Sequence, residues 1–162
     1  MDELGIAQVA EMYPVDGLDW VELMVDPGAF RRYRERVEPL LAEDFEVLPV
    51  QPAGELSTVI VGVEAYLAGM RVVMEAFERF CITPERFVPI DGGILVFARL
   101  EGMTIEGPHR FEGEGGAIFE LRDGLIARLR EFDDRERLLD AGGLTAQEAE
   151  RLGTPAHVLR TA

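Results

Sequence analysis

Glu131 and Asp133 are the acid–base candidates that spacing picks out first. They stand two residues apart at the end of a β-rich run, LIARLREFDD. On a strand that spacing puts both carboxylates on one face. A carboxylate lined by apolar neighbours keeps its proton to higher pH and becomes a general base near neutrality. For Glu131 the plain alternatives are an ion pair with a nearby arginine or an exposed strand end. Asp133 also opens an Asp-x-x-Glu sequence with Glu136, the pattern of a helix capping box. A carboxylate that accepts backbone N–H groups is a poor base. His109, one of two histidines beside His157, can shuttle a proton or hold a ligand carbonyl, or it can be a partly exposed strand residue. Tyr66 and Tyr13 can donate hydrogen bonds to a substrate oxygen, and both also fit ordinary core packing.

Other chemistries lack their residues. His109 and Glu112, in HRFEGE, fall on opposite faces of a strand, so no metal site is expected. There is no nucleophile elbow, phosphate loop or dinucleotide fingerprint, and no cofactor is expected. Cys81 has no basic neighbour in sequence to activate its thiol.

The elements that must position these residues follow from turn chemistry and periodicity. In GGAIFELRDGLIARLREF, Asp123-Gly124 reads as a tight hairpin turn, because both central positions favour positive φ. If Leu129 points inward on the second strand, so do Ala127, Glu131 and Asp133, while Arg128, Arg130 and Phe132 point outward. On the preceding strand the inward set is Phe119, Ala117 and Gly115, followed by Phe111 and His109 if no bulge intervenes. Gly107, Gly113, Gly115 and Gly116 suggest bulges or sharp curvature there.

Upstream, Glu3 to Met12 reads as a helix with Leu4, Ala7 and Val9 or Ala10 on its apolar stripe, interrupted by Pro14 and Gly17. A short helical turn is expected over Leu18 to Met24. Asp26-Pro27 starts another helix, with Phe30, Tyr33 and Val37 at helical spacing. Its arginines are interleaved with Glu35 and Glu38, which reads as a solvated face and not an anion site. Phe45 to Leu48 is a strand ended by Pro49 and Pro52, and Ser57 to Gly62 is β-rich but ambiguous. The longest helix is expected from Val63 to Phe80, with Tyr66, Met70, Val73, Met74 and Phe77 on one face and Thr83-Pro84 breaking it. A short strand follows over Arg86 to Ile90 and a long one over Ile94 to Leu100, joined at Asp91-Gly92-Gly93. The final helix ends at Gly142-Gly143. Thr145 and Glu148 cap a further small helix that stops at Gly153-Thr154-Pro155. Trp20, Met24, Met70, Met74, Phe119 and Leu129 are candidate walls of a pocket, or plain core.

Helices segregated on one face of an antiparallel sheet define an α+β fold. A strongly curved sheet around a long helix makes a cone with one end open. The expected division is a cone over 1–144 and a helical tail over 145–162. The chain has 162 residues and a net charge of −15, with 48% hydrophobic residues, which fits one folded domain with a sizeable core. All its basic residues are arginine. The acidic balance disfavours nucleic-acid backbones and anionic membranes. One cysteine, no apolar span and an acidic start favour a cytoplasmic protein.

With its order and spacing of Leu40-Leu41-Ala42-Glu43-Asp44-Phe45, Gly62-Val63-Glu64-Ala65-Tyr66, Leu121-Arg122-Asp123-Gly124-Leu125-Ile126 and Phe132-Asp133 … Ala141-Gly142-Gly143-Leu144, the chain resembles the SnoaL-like group of the nuclear-transport-factor-2-like superfamily. Ketosteroid isomerase belongs to the same superfamily. The resemblance runs from about Ala29 to Leu144. It implies a cone-shaped α+β barrel (a curved antiparallel sheet around a long helix, cystatin-like), small apolar organic ligands, and homodimers packed through the sheet. The outward Leu95, Phe97 and Phe132 fit such packing. It leaves activity open, because this fold hosts isomerases, cyclases and non-enzymes. The isomerase base would lie just after the first strand, where this chain has Val47-Leu48-Pro49-Val50. The second isomerase acid aligns with Ala117. SnoaL-like cyclases instead place an acid on the last strands, which matches Glu131 and Asp133. Two readings follow. One is a cofactor-independent acid–base enzyme with Glu131, Asp133 and His109 catalytic and Trp20, Tyr66, Met70, Met74, Ala117, Phe119 and Leu129 around the substrate. The other is a non-catalytic, dimeric ligand-binding or association module.

Overall fold

The computed structural model describes residues 2–13, 19–49, 59–107 and 109–159. The expectations for Pro14, Gly17, Leu18, Val50, Pro52 and the Ser57 end of the ambiguous run lie outside the described residues.

Three helices come first. α1 (Asp2–Ala10) is followed by α2 (Trp20–Val25), whose N-cap Asp19 accepts from the Val21 amide at 2.8 Å. α3 (Pro27–Val37) starts as its sequence dictates, with Asp26 accepting from Gly28 and Ala29 and proline in the first turn. Two of its arginines make ion pairs: Arg34 with Glu38 and Glu64, Arg36 with Glu11.

A 3₁₀ turn (Glu38–Leu40) leads into β1 (Leu41–Leu48), four residues longer at its start than Phe45–Leu48. Leu41 pairs with Ile126, and that contact draws the strand back. β2 (Ile60–Val61) is short, and α4 (Val63–Met74) follows.

The expected helix to Phe80 stops six residues early. Glu75 and Ala76 donate to the carbonyls three residues back, which tightens and ends the last turn. Phe77 to Ile90 is then one strand, β3, and Thr83-Pro84 lies inside it. The helical stripe of Tyr66, Met70 and Met74 runs into Phe77 by coincidence of spacing. What decides the conformation is a ladder with β4 (Gly93–Thr104) along nearly its full length, so tertiary pairing overrides local pattern. Pro84, which has no N–H, sits where that ladder slips between Pro84 and Arg86.

β5 (Arg110–Arg122) and β6 (Leu125–Phe132) form the hairpin that Asp123-Gly124 signals. Asp123 has φ 53° and Gly124 φ 77°, which a two-residue turn of this hand requires. The glycine-rich part of β5 does not bulge against β4: the register runs unbroken from Gly93–Glu120 to Met103–Arg110. The slip is on the other side, between Glu120 and Leu121, and it carries Ile126 into the core in place of Ala127.

The strands form one curved, unclosed sheet in the order β2-β1-β6-β5-β4-β3-β7, antiparallel except where β1 runs parallel to β6. The main core fills its concave side. Val9, Trp20, Tyr33, Val37, Tyr66, Leu67 and Met74 from the helices, with Met12 just past α1, meet Phe45, Phe87, Val96, Ala117, Phe119 and Leu129 from the strands.

The convex side carries a second core built by the C-terminal segment. α5 (Arg135–Gly142) and α6 (Ala146–Leu152) lay Leu138 and Ala149 on Val88, Leu95, Phe97 and Ile118, with Phe132, Leu139 and Leu144 at the edge. A Cβ on Gly116 would come within 1.9 Å of the Val96 carbonyl oxygen and 2.8 Å of Leu138 Cδ2, so the close approach of β4 requires glycine here and Leu138 packs over it. Arg135 stacks 4.8 Å over the Phe97 ring and pairs with Glu85 and Glu114. The outward apolar residues that suggested a sheet-to-sheet dimer are therefore covered within the chain. Past α6, β7 (Thr154–Pro155) adds to β3 at Phe87 and Arg86, and α7 (Ala156–Leu159) closes the described chain.

The expected cap Asp133 is exposed, and Asp134 takes that role, accepting from the Arg137 amide at 3.0 Å. The strand ends at Phe132, and the helix start is shifted by one residue relative to the Asp-x-x-Glu spacing. The Thr145–Glu148 capping box forms in both directions.

Candidate functional site

Between α4 and the concave sheet face lies a cavity of about 400 Å³. Its walls are mostly apolar. α4 supplies Tyr66, Met70, Val73 and Met74, β3 supplies Phe80 and Ile82, and the centre of the sheet supplies Ala98, Ala117, Phe119 and Leu129. Met12 and Tyr13, just past α1, and Trp20 close one side. All seven expected substrate-contacting residues line this space. Met70, Met74 and Phe119 border it and leave it open.

Glu131 is the one acidic side chain that lines the cavity among the described residues. It stands directly opposite Ala117 in the ladder, and Ala117 stands opposite Val96, so a row of small apolar side chains runs away from the carboxylate. Among the described residues no arginine pairs with it and no side chain donates to it. The two arginines that precede it in the strand are paired elsewhere: Arg128 with Glu46 and Glu120, and Arg130 with Glu120. Burial without a counter-charge pushes the Glu131 carboxyl up to about 7.

Two hydroxyls share its field. Tyr13 and Tyr66 are both held well above the usual phenol range, first by burial and then by neighbouring groups that include the Glu131 charge. Both remain donors at any physiological pH. Tyr66 also interacts with Tyr33, whose hydroxyl donates to the Met12 carbonyl at 2.7 Å. The Tyr13 ring is wedged edge-on between Phe87 and Phe119, with centroids 6.3 and 6.1 Å away. Among the described residues its hydroxyl has no partner.

The other two acid–base candidates are elsewhere. Asp133 is past the end of β6 and exposed, outside the cavity lining. His109 is exposed on the β4–β5 turn, its amide donating to Thr104 Oγ1 at 3.1 Å. Strand parity linked His109 to the inward set if no bulge intervened; the ladder with β4 has none, but β5 begins at Arg110 and leaves His109 in the turn. Sequence reasoning missed Tyr33, whose role depends on a contact with Met12, far off in sequence. It also missed Gly69, Val73, Phe80 and Ile82 as cavity walls. Among the described residues no cluster of three His, Cys, Asp or Glu side chains is placed to hold a metal ion. No described helix is long and apolar enough to cross a membrane.

A curved, unclosed sheet of this topology with helices on its concave face, and one carboxylate lining the cavity between them, has the architecture of the nuclear-transport-factor-2-like fold. Residues 21–129 match the SnoaL-like domain, and the chain belongs to that family. No curated protein matches it by sequence. Among solved structures it is similar to a phenazine biosynthesis-related protein from Pseudomonas aeruginosa, with 18% identity and a TM-score of 0.61 over 90% of this chain and 88% of that one. It is similar to TerC co-crystallised with polyporic acid, at 15% identity and a TM-score of 0.60 over 81% and 92%. It is also similar to a hypothetical protein with a ketosteroid isomerase-like fold from Catenulispora acidiphila DSM 44928 in complex with trimethylamine, at 14% identity and a TM-score of 0.53 over 79% and 92%. At these identities the likeness establishes the fold.

Proposed function

We propose that this protein binds a small, largely apolar carbonyl compound in its cavity and performs cofactor-independent acid–base chemistry on it. The observation that carries the reading is Glu131: an unpaired carboxylate, raised to about 7, in a cavity otherwise walled by apolar and aromatic side chains. In its ionised form Glu131 takes a proton from the carbon α to the carbonyl. The electron pair moves onto the carbonyl oxygen, and the Tyr13 hydroxyl donates a hydrogen bond to the resulting enolate. The protonated Glu131 then returns the proton: to the same carbon, which is exchange alone, or to a conjugated one, which makes the net reaction an isomerisation. Where the enolate carbon instead attacks a second carbonyl of the same molecule, that C=O π bond opens, its oxygen takes the proton held by Glu131, and the net reaction is an aldol cyclisation. Neighbours described with polyporic acid and in phenazine biosynthesis fit a ligand of this size and polarity.

The test is proton exchange, because it needs no knowledge of the natural product. A panel of enolisable aryl and cyclic ketones is incubated in deuterium oxide with the protein, and label at the α carbon is followed by mass spectrometry. Enhanced exchange that disappears in Glu131→Gln supports the reading, and exchange equal in both proteins rejects Glu131 as the base.

One observation favours a second reading, a binder without turnover. Of the three acid–base candidates in the sequence, only Glu131 reaches the cavity. A protein that binds ketones from the panel, with no exchange above the uncatalysed rate, is that binder.

A further inference from the structure

Most glycines of this chain have a local reason: a positive φ at turns, or a backbone or side chain pressed against them as at Gly116 and Gly142. Gly69 has neither. It lies in the interior of α4, three residues after Tyr66 and four before Val73, so it shares their cavity-facing side of the helix. A Cβ built on it would meet one atom within 4 Å, Ile60 Cδ1 at 3.9 Å, an ordinary contact. Alanine therefore fits, and in a helix interior alanine is the more stabilising residue. The missing side chain leaves helix stability unclaimed and leaves open space in the cavity wall. Ile60 and Val73 line the same cavity, and Val73 is 53% exposed.

We propose that Gly69 sets the size of ligand this cavity admits, by keeping a gap open between α4 and Ile60 of β2. This rests on the reading of the cavity as a ligand site, but not on Glu131 being a base. A broad ligand occupies the gap, and a narrow one does not need it. A side chain at position 69 therefore discriminates by size and leaves the inner end of the cavity, with Glu131 and Tyr13, unaltered.

The experiment uses Trp20, the single tryptophan, which lines the cavity and reports occupancy by its fluorescence. Naphthyl methyl ketone and the wider anthryl methyl ketone are titrated into the full chain and into Gly69→Ala and Gly69→Leu. Gly69→Leu is expected to weaken the anthryl ketone at least about tenfold while changing the naphthyl ketone less than about threefold, a size penalty of the order that one filled subsite imposes. Gly69→Ala is expected to melt about 2–4 °C higher than the parent and to weaken the anthryl ketone by a smaller factor. Equal binding of both ketones by parent and Gly69→Leu overturns the proposal. So does a lower melting temperature for Gly69→Ala, which means the space is not free; this readout needs no ligand and covers the case in which the leucine variant fails to fold. If neither ketone changes Trp20 emission in the parent protein, the ligand-site reading itself fails and this inference with it.

Discussion

The Tyr33 hydroxyl donates a 2.7 Å hydrogen bond to the carbonyl of Met12, the residue immediately before Tyr13. It ties α3 to the end of α1, where the chain turns Tyr13 into the cavity. Tyr33→Phe keeps the ring, and with it the edge-on contact to Trp20 at 5.5 Å, but leaves a buried carbonyl without its donor. The expected loss is about 1–3 kcal/mol by denaturant unfolding. Affinity for the naphthyl ketone should fall as well, because Tyr13 loses its anchor. An unchanged denaturation midpoint would mean the bond contributes nothing to stability.

Glu131 makes stability depend on pH with a definite sign. Its carboxyl is raised to about 7 in the folded protein, above the value of 4.5 for the free side chain, so between those values the native state holds more protons than the unfolded chain. Stability from this group therefore falls as pH rises from 4.5 through 7, and the full penalty of about 3 kcal/mol is in place above that window. Glu131→Gln removes the slope. Unfolding curves of both proteins at pH 5 and pH 8 should converge at the acid end and favour the glutamine variant at the alkaline end, relative to each other. Parallel pH dependences in the two proteins would contradict the assignment. Exchange activity should rise with pH over the same range, since the base is the ionised form.

Asp133 and Asp134 are neighbours with different work. Asp134→Ala removes the N-cap of α5 and should cost about 1 kcal/mol, whereas Asp133→Ala, at an exposed site, should stay within about 0.5 kcal/mol of the parent. Thermal melts of the two single variants decide it. The reverse order would restore Asp133 as the cap.

Leu138 is fully buried and joins α5 to the convex face of the sheet. Leu138→Ala should destabilise the protein by about 2–5 kcal/mol. As α5 loosens it uncovers Leu95, Phe97 and Ile118, so light scattering should rise with protein concentration in the variant and not in the parent. A variant as stable and as dispersed as the parent would show that the convex face does not need this cover.

How much of this was legible before the structure depended on the range of the interaction. Asp123-Gly124, Asp26-Pro27 and Thr145-x-x-Glu148 encode their local geometry in adjacent residues, and each formed as read. The β6 parity from Leu129 to Glu131 was readable for the same reason, and it put Glu131 on the cavity side. It broke at Ala127, where the slip in the ladder depends on β5 and not on β6 alone. The helix expected through Phe80 failed because the stripe on α4 and the inner face of β3 are both apolar and happen to be in phase. Only the ladder with β4 separates them. Tyr33 was one position on the apolar stripe of α3 until the fold brought its hydroxyl to the Met12 carbonyl.

The helices that cover the convex face are part of the same chain, and that changes how the cover responds to dilution. A patch closed by another molecule opens when that molecule is scarce. Here α5 follows β6 after Asp133 and Asp134 alone, so Leu138 faces Leu95 and Ile118 at an effective concentration of roughly millimolar or above, however dilute the protein. The outer core is thus a unimolecular property. It should be as intact in a nanomolar assay as in a concentrated stock, and the cavity on the other side of the sheet keeps a backing that no change in protein supply can remove.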